Sequence, residues 1–411
     1  MDMDIKQKMF RKKTVIVFII AALIIIVSAC GTLLETERET VTRNIPPPYE
    51  PVESPPAERI VIADSYELSY EILNLIYSHE HVGLFVIYNH DVDGIQEMAE
   101  SVVHTIKTNH PVGAYATSSI TAITNRTEIY TEIDVVIEYK RTQEQLDSVI
   151  NAATIRYLRT ELLGVMRNHR EEVAFRTSLR ITEEEIRGFV ETIYYENPRI
   201  IIMLPVVAFE AFPPDGDDRI IELRFGNIEP SSILQQYAES LDRSVRYNAG
   251  LAVGDNDAEI LLALVRNLIA STQFDEAAAL AISEHGPQNF AATAFGTLVR
   301  QHAVGEGFAM AFKALSDELG FDTRVVRGHR DGMVHAWNIV SLFGEFYHID
   351  VAMGALHGIE TAFLRTDDDF IEMLYVWDFD NTVRANGTLT YQAVIRGIDV
   401  RYNYTDTDDD D

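Results

Sequence analysis

The chain contains a single cysteine, Cys30, among its 411 residues. Basic residues between Lys6 and Lys13 precede it, and the run from Thr14 to Val27 is almost entirely apolar. That run has the length of a signal-peptide core and is short of the roughly 20 residues that a membrane span needs. No disulfide can form in the remainder of the chain, so its fold must be held by packing and hydrogen bonds.

The residues around Cys30 resemble the lipobox of bacterial lipoprotein precursors, because small residues lead to the cysteine in Val27-Ser28-Ala29-Cys30. The resemblance implies that residues 1–29 are a signal peptide and that Cys30 is lipidated. An uncleaved membrane anchor is the alternative interpretation. In both cases the basic head predicts that the body lies on the extracytoplasmic face of the cell membrane. Residues 30–58 are rich in Pro, Glu and Thr, which predicts an extended tether.

Length and charge limit what the body can be. Residues 59–411 are enough for two domains, and the pattern predicts an α+β domain over residues 59–227, a second domain over residues 228–403 and an acidic tail over residues 404–411. A net charge of −30 repels phosphate backbones, so nucleic acid is excluded as a partner.

Periodicity predicts the elements of the body. Helices are expected over residues 66–78, 95–106, 143–166, 182–195, 233–247 and 257–272, and strands over residues 82–88, 114–123, 129–139, 173–179, 200–209 and 220–225. Thr182 with Glu185 three residues later predicts a capping box. The alternating His79-Glu80-His81 is interpreted as a surface turn, because such spacing gives no converging set of metal ligands.

Four segments of the C-terminal half form a recognisable pattern. They are Ala294 to Val299, Ala303-Val304-Gly305-Glu306-Gly307-Phe308-Ala309, Val334-His335-Ala336-Trp337-Asn338 and Tyr347-His348-Ile349-Asp350. This pattern resembles the transglutaminase-like family of papain-type cysteine enzymes, and the resemblance continues through Phe363 to Asp368 and Tyr375 to Asp378. In that family a cysteine stands where this chain has Gly305.

The resemblance implies a site in which a thiol at a helix N-terminus works with a histidine base and an orienting aspartate. His335 would be the base and Asp350 the orienting residue. The thiol is missing, and residues 301–309 contain no Cys, Ser or Thr that could replace it. Glu306, Trp337 and Asn338 are expected to line the former groove as binding residues.

Three interpretations of function stay open. The leading one is a non-catalytic, membrane-tethered lipoprotein, without cofactor or metal, that binds a peptide or cell-wall peptide stem or serves as a scaffold for a protein partner. A second is a thiol-independent amide hydrolase that uses Glu306 and His302, four residues apart, with a metal or as acid and base. A third is a protease of the family whose cysteine was recently lost. An open groove between Gly305 and His335 favours binding, whereas a side chain filling it favours the scaffold.

Overall fold

The computed structural model describes residues 59–88, 92–285 and 288–397. The predicted signal peptide, the tether with Cys30 and the acidic tail lie outside the described residues. Contacts divide the chain into Met1–Arg59 and Ile60–Asp411, and the second part is one compact unit with its own hydrophobic cores. Among the described residues, no helix is long and apolar enough to cross a membrane.

A four-stranded sheet with helices on one face forms residues 60–139, the first repeat. Its elements are β1 (Ile60–Val61), α1 (Ser65–Tyr77), β2 (Val82–Ile87), α2 (Val92–Asn109), α3 (Pro111–Ala116), β3 (Thr117–Arg126) and β4 (Thr131–Tyr139). The strand order is β1-β2-β4-β3, with β1 parallel to β2 and the other pairs antiparallel. Alternation along β4 turns Ile133, Val135 and Ile137 toward the helices, where they are buried.

The same topology recurs in residues 150–226, the second repeat. After the linking helix α4 (Gln143–Asp147), its elements are β5 (Ile150–Asn151), α5 (Ile155–Arg167), β6 (Glu172–Thr177), α6 (Glu183–Glu196), β7 (Val206–Phe212) and β8 (Arg219–Gly226). The strand order β5-β6-β8-β7 and the strand directions match those of the first sheet.

This internal repeat was not predicted from the sequence. An offset of 90 residues relates β1 and β2 to β5 and β6, as from Phe85 to Phe175, both fully buried. The buried positions of α1 recur in α5 at the same offset: Leu68, Ile72, Leu75 and Ile76 become Leu158, Leu162, Val165 and Met166. His79 and His169 stand at the matching turns, and both have a positive φ.

The predicted helix over residues 143–166 is wrong. Helix α4 ends at Asp147, and β5 pairs with β6 before α5 begins behind its N-cap Thr154. The strand that interrupts the predicted helix is fixed by its pairing with β6, about 25 residues away, so local periodicity could not anticipate it. Two predicted strands also start late, because residues 111–116 are helical and the strand after α6 begins at Val206. The capping box at Thr182 and Glu185 is confirmed.

The remaining residues build helices around a third sheet. The elements are α7 (Ser231–Gly250), α8 (Asp257–Ser271), β9 (Gln273–Phe274), α9 (Glu276–His285), β10 (His302–Ala303), α10 (Gly305–Glu318), β11 (Thr323–Arg330), β12 (Met333–Leu342), β13 (Glu345–Ile349), α11 (Val351–His357), α12 (Asp367–Glu372), β14 (Tyr375–Trp377) and α13 (Tyr391–Ile395). The antiparallel sheet has the order β13-β12-β11-β14, and α10 packs against β12.

One hydrophobic core continues from the second repeat into this C-terminal part. It joins Phe175 of β6 to Phe308 and Phe312 of α10. The chain combines helices and sheets in every described segment, as the α+β prediction requires. The second repeat therefore serves as one wall of the region around α10.

Candidate functional site

Helix α10 carries the position where the resemblance expects a nucleophile. It begins at Gly305 behind the N-cap residue Val304, whose amide donates to the Ala291 carbonyl at 2.9 Å. Free N–H groups and the helix dipole favour negative charge at such an end. Since most of α10 is buried, its N-terminus is held firmly against β12.

The imidazole of His335 lies directly against Gly305. A Cβ atom placed on Gly305 would come within 2.6 Å of both Cε1 and Nδ1 of this ring, whereas carbon atoms in contact normally stay about 3.5 to 4.0 Å apart. The ring therefore fills the space that a side chain at position 305 would need. Glycine is the residue that fits here without displacing His335.

His335 belongs to a hydrogen-bonded cluster with Asp350 and Tyr375. The His335 Nε2 group donates to Asp350 Oδ2 at 2.6 Å, and the Tyr375 hydroxyl donates to the same oxygen at 2.7 Å. The Met353 amide donates to Asp350 Oδ1 at 3.0 Å, since Asp350 is also the N-cap of α11. All three hydrogen bonds converge on one buried carboxylate.

Electrostatics keep this carboxylate ionised. Burial works to raise the pKa of Asp350, but the charge of His335 and the hydrogen bonds from His335, Met353 and Tyr375 outweigh burial and hold this pKa below its usual value. Burial and the Asp350 charge raise the pKa of Tyr375, so the phenol stays a donor. With Nε2 donating, a neutral His335 has its lone pair on Nδ1, the nitrogen beside Gly305.

The arrangement thus orients an imidazole with a carboxylate, but no side chain at position 305 supplies a proton for the imidazole to take. In a thiol enzyme the proton would come from the side chain at position 305. Tyr375 was not predicted as a member of the cluster, although it lies in a segment that the resemblance covers. Its place in the segment Tyr375 to Asp378 was the available signal.

Trp337 and Asn338, predicted as binding residues, are structural instead. Both are 0% exposed. The ring of Trp337 stacks on that of His335, with the ring centroids 6.1 Å apart. The Asn338 side-chain amide donates to the Ala309 carbonyl of α10 at 3.0 Å. Alternation along the strand cannot distinguish a buried face from a groove wall, which is why the prediction failed.

A second histidine–aspartate pair lies under the first. The Trp337 indole donates to His348 Nδ1 at 2.9 Å, and His348 Nε2 donates to Asp367 Oδ1 at 2.9 Å. Because Nδ1 accepts, the neutral ring carries its proton on Nε2. Burial lowers the pKa of His348, although the Asp367 carboxylate opposes this shift. Sequence reasoning assigned no role to this pair, which supports the strand that presents His335.

Glu306 is partly buried, and its carboxylate is turned toward the second repeat. Its carboxylate accepts a hydrogen bond of 2.6 Å from the hydroxyl of Tyr195, on α6 of the second repeat. Burial raises the pKa of Glu306, against the lowering effects of the Tyr195 hydrogen bond and the Arg327 charge. Arg327 lies over the Tyr195 ring and pairs with Glu191 at 2.9 Å. No sequence signal links residues 111 positions apart, so this contact was not foreseen.

The hydrolase interpretation is not supported. His302 lies on β10, before α10 begins, and its nearest ionic partner is Asp275 at 3.8 Å, whereas Glu306 is bound to Tyr195. The two side chains therefore do not share a helix face. In the described part of the chain, no three His, Asp, Glu or Cys side chains converge as a metal site would require.

No family model and no curated protein matches the chain. Similar solved structures include the crystal structure of a TGase, 12% identical with a TM-score of 0.26 over 53% of this chain and 60% of that one. They also include a candidate protease from Parabacteroides distasonis, 7% identical with a TM-score of 0.20 over 66% of this chain and 43% of that one. The chain spans less than two thirds of either structure. At these TM-scores neither match carries an argument about fold or function.

Proposed function

We propose that residues 228–403 form a transglutaminase-like domain without catalytic activity, which acts as a scaffold for a protein partner on the outer face of the cell membrane. The observation that supports this role is the His335 imidazole, which fills the space where a nucleophilic side chain would project from Gly305. The family assignment is supported by the sequence resemblance and by the contact between His335 and Asp350.

A scaffold is favoured over a groove that reads peptides. Peptide binding in the former active site needs open space between Gly305 and His335, and a Cβ on Gly305 would already meet the ring at 2.6 Å. The other expected contact residues, Trp337 and Asn338, have no exposed surface to offer. The retained cluster of His335, Asp350 and Tyr375 instead joins β12 to the end of β13 and to β14.

The location is proposed from the sequence around Cys30. Its basic head, apolar run and small residues before the cysteine support lipidation after export. Labelling cells with an alkyne fatty acid should mark the wild-type protein in the membrane fraction. The Cys30→Ser variant should lose the label, and a variant that keeps it would contradict the lipid anchor.

The scaffold role is tested with residues 31–411 in two assays. The first assay measures hydrolysis of peptide amides and incorporation of an amine into a glutamine peptide. Both rates should equal those measured in buffer without protein. Cell-wall stem peptides should not raise the melting temperature, whereas a ligand at 100 times its Kd would add about 2.7 kcal/mol, or about 5 °C or more. Turnover that His335→Ala abolishes would contradict catalytic silence. A peptide-induced shift that His335→Ala abolishes would assign the groove to ligand binding and overturn the scaffold.

A further inference from the structure

A histidine turn ends the same helix in both repeats. His79 follows α1 and His169 follows α5, with φ angles of 57° and 50°. The amides of these two histidines donate to the carbonyls of Ile76 and Met166, at 3.2 Å and 3.1 Å. The backbone of the turn is therefore the same in both repeats, and the difference lies in what surrounds each imidazole.

In the first repeat the imidazole has two partners. His79 Nε2 donates to the Arg141 carbonyl at 2.9 Å. The His79 ring also stacks on the ring of Tyr139, with the centroids 3.9 Å apart. A hydrogen bond and a ring stack thus hold this histidine in place.

In the second repeat the imidazole lacks such partners. Tyr139 corresponds to Asn227 in the strand register, and asparagine has no ring to stack. His169 is only 8% exposed, and its Nε2 atom is buried without a hydrogen-bond partner in the described part of the chain. Buried polar atoms in folded proteins are nearly always paired, so this nitrogen needs a ligand.

A small cavity lies beside His169. Met166 and Met203, which are 4% and 3% exposed, line it together with Asn227. Its volume of about 10 Å³ gives room for one water molecule or one ion of similar size. In the first repeat Ile76 stands at the position of Met166, so the core does not require a thioether there. Two methionines and an unpaired imidazole therefore meet at one cavity without a structural need for sulfur.

We propose that His169 and the thioethers of Met166 and Met203 bind one Cu(I) ion in this cavity. Polarisable sulfur ligands select Cu(I) over hard cations, and imidazole suits copper as well. Burial lowers the pKa of His169, so the ring is neutral at neutral pH and offers the lone pair that a metal needs. Residues 31–411 contain no cysteine, so no thiolate of the same chain competes for a soft metal.

The charge around the cavity favours a monovalent ion. None of the residues that line it, all of which the structure describes, is acidic. Arg170 also lies at the cavity with an exposed side chain, and its charge repels a divalent ion more strongly than a monovalent one. Two thioethers and a neutral imidazole add no negative charge, which suits Cu(I) better than Zn²⁺ or Cu²⁺. The proposed scaffold rests on other residues, so failure of either proposal leaves the other standing.

The test titrates residues 31–411 with Cu(I) under anaerobic conditions, with bicinchoninate as a coloured competitor. The wild type should remove one equivalent of Cu(I) from the competitor, and X-ray absorption should show two sulfur neighbours and one nitrogen neighbour. Met166→Leu, Met203→Leu and His169→Asn should each weaken binding at least tenfold. Leucine nearly keeps the volume of methionine and removes its sulfur, so the packing is preserved.

Two matched variants serve as controls. Met310→Leu removes the sulfur of a methionine that is equally buried but does not line the cavity. His79→Asn alters the matching turn of the first repeat. Both should leave the affinity for Cu(I) within twofold of wild type. Superimposable circular dichroism spectra of the metal-free proteins would show that every variant folds.

Three outcomes would overturn the proposal. Absence of Cu(I) uptake by the wild type would leave the cavity to a water molecule, which needs two to four polar partners there. Binding that survives all three substitutions would place the metal on histidines elsewhere in the chain. Equal weakening by Met310→Leu would show that packing, rather than the sulfur atoms at the cavity, sets the affinity.

Discussion

At the scale of single residues, the contact between Gly305 and His335 decides what the site can do. The ring approaches the helix more closely than any residue with a Cβ would allow. It is held there by Asp350 at 2.6 Å and by stacking on Trp337. In this position the ring packs against the N-terminus of α10, and no side chain at position 305 offers it a proton.

We expect Gly305→Ala to lower stability despite the better helix propensity of alanine. The new Cβ would overlap the His335 ring, and overpacking of this kind costs about 1 to 3 kcal/mol, whereas the helix gains at most about 1 kcal/mol. Urea unfolding of the single variants and of Gly305→Ala/His335→Ala measures the coupling. In the His335→Ala background the alanine should be neutral or stabilising, and an unchanged penalty there would contradict the contact.

The pH dependence of stability should change in Glu306→Gln. Burial raises the pKa of Glu306 in the folded state, so the folded protein binds its proton more tightly than the unfolded chain does. Ionisation therefore costs stability as pH rises from the unfolded pKa, near 4.3, through the raised folded value. The glutamine variant should become more stable relative to wild type as pH rises through this window, and the two should be equally stable below it. Thermal unfolding from pH 3.5 to 8 measures the difference. A difference that does not vary with pH would show that Glu306 titrates normally.

His348→Phe should destabilise the protein by about 3 kcal/mol. Phenylalanine can keep the stack on Phe370, at 4.5 Å, but leaves the Trp337 indole and the Asp367 carboxylate without the ring that joins them. An unsatisfied buried polar group costs about 1 to 3 kcal/mol. Chemical denaturation gives the value, with the exposed His302→Phe as a control expected to stay within about 0.5 kcal/mol. A loss below about 1 kcal/mol would mean that the pair contributes little.

At the scale of elements, the two repeats are joined through a buried ion pair. Arg141, just after β4, binds Glu222 of β8 at 2.6 Å, and Glu222 is 4% exposed. Removing the cation in Arg141→Met should cost about 3 kcal/mol, because the carboxylate stays buried without its main partner. Replacing both in Arg141→Met/Glu222→Leu should recover most of this loss in urea unfolding. A double variant no better than the single one would place the energy in packing rather than in charge.

Elements whose signal is local were predicted from the sequence, and those defined by distant pairing were not. The helix at Glu183–Glu196 and its capping box follow from Thr182 and Glu185 alone. The break at β5 depends on hydrogen bonds to β6, so a single long helix was predicted in its place. The repeat was not predicted, because its signal is the shared spacing of buried residues, such as Ile72 and Leu162, rather than overall sequence identity.

At the scale of the whole molecule, the candidate site was predictable only in part. The motif around His335 and Asp350 carried its own signal, whereas Tyr195 reaches Glu306 across 111 residues and could not be paired from sequence. Trp337 and Asn338 were predicted to line the groove but are buried on opposite faces of β12, because burial depends on what packs against each face. The second repeat and α10 thus both contribute side chains to the region around the candidate site.

The most direct measurement is the pH–rate profile for alkylation of the thiol introduced by Gly305→Cys in residues 31–411. These residues contain no cysteine in the wild type, so the introduced thiol is the only one that can react. Because His335 fills the space beside the helix, we expect alkylation to be slow, its rate to show no thiolate reacting at acidic pH, and amide hydrolysis to be absent. The His335→Ala background should speed alkylation by opening the space. Rapid alkylation below pH 6 that depends on His335, together with amide hydrolysis, would instead reveal a working thiol–imidazole pair and contradict a scaffold built on a closed site.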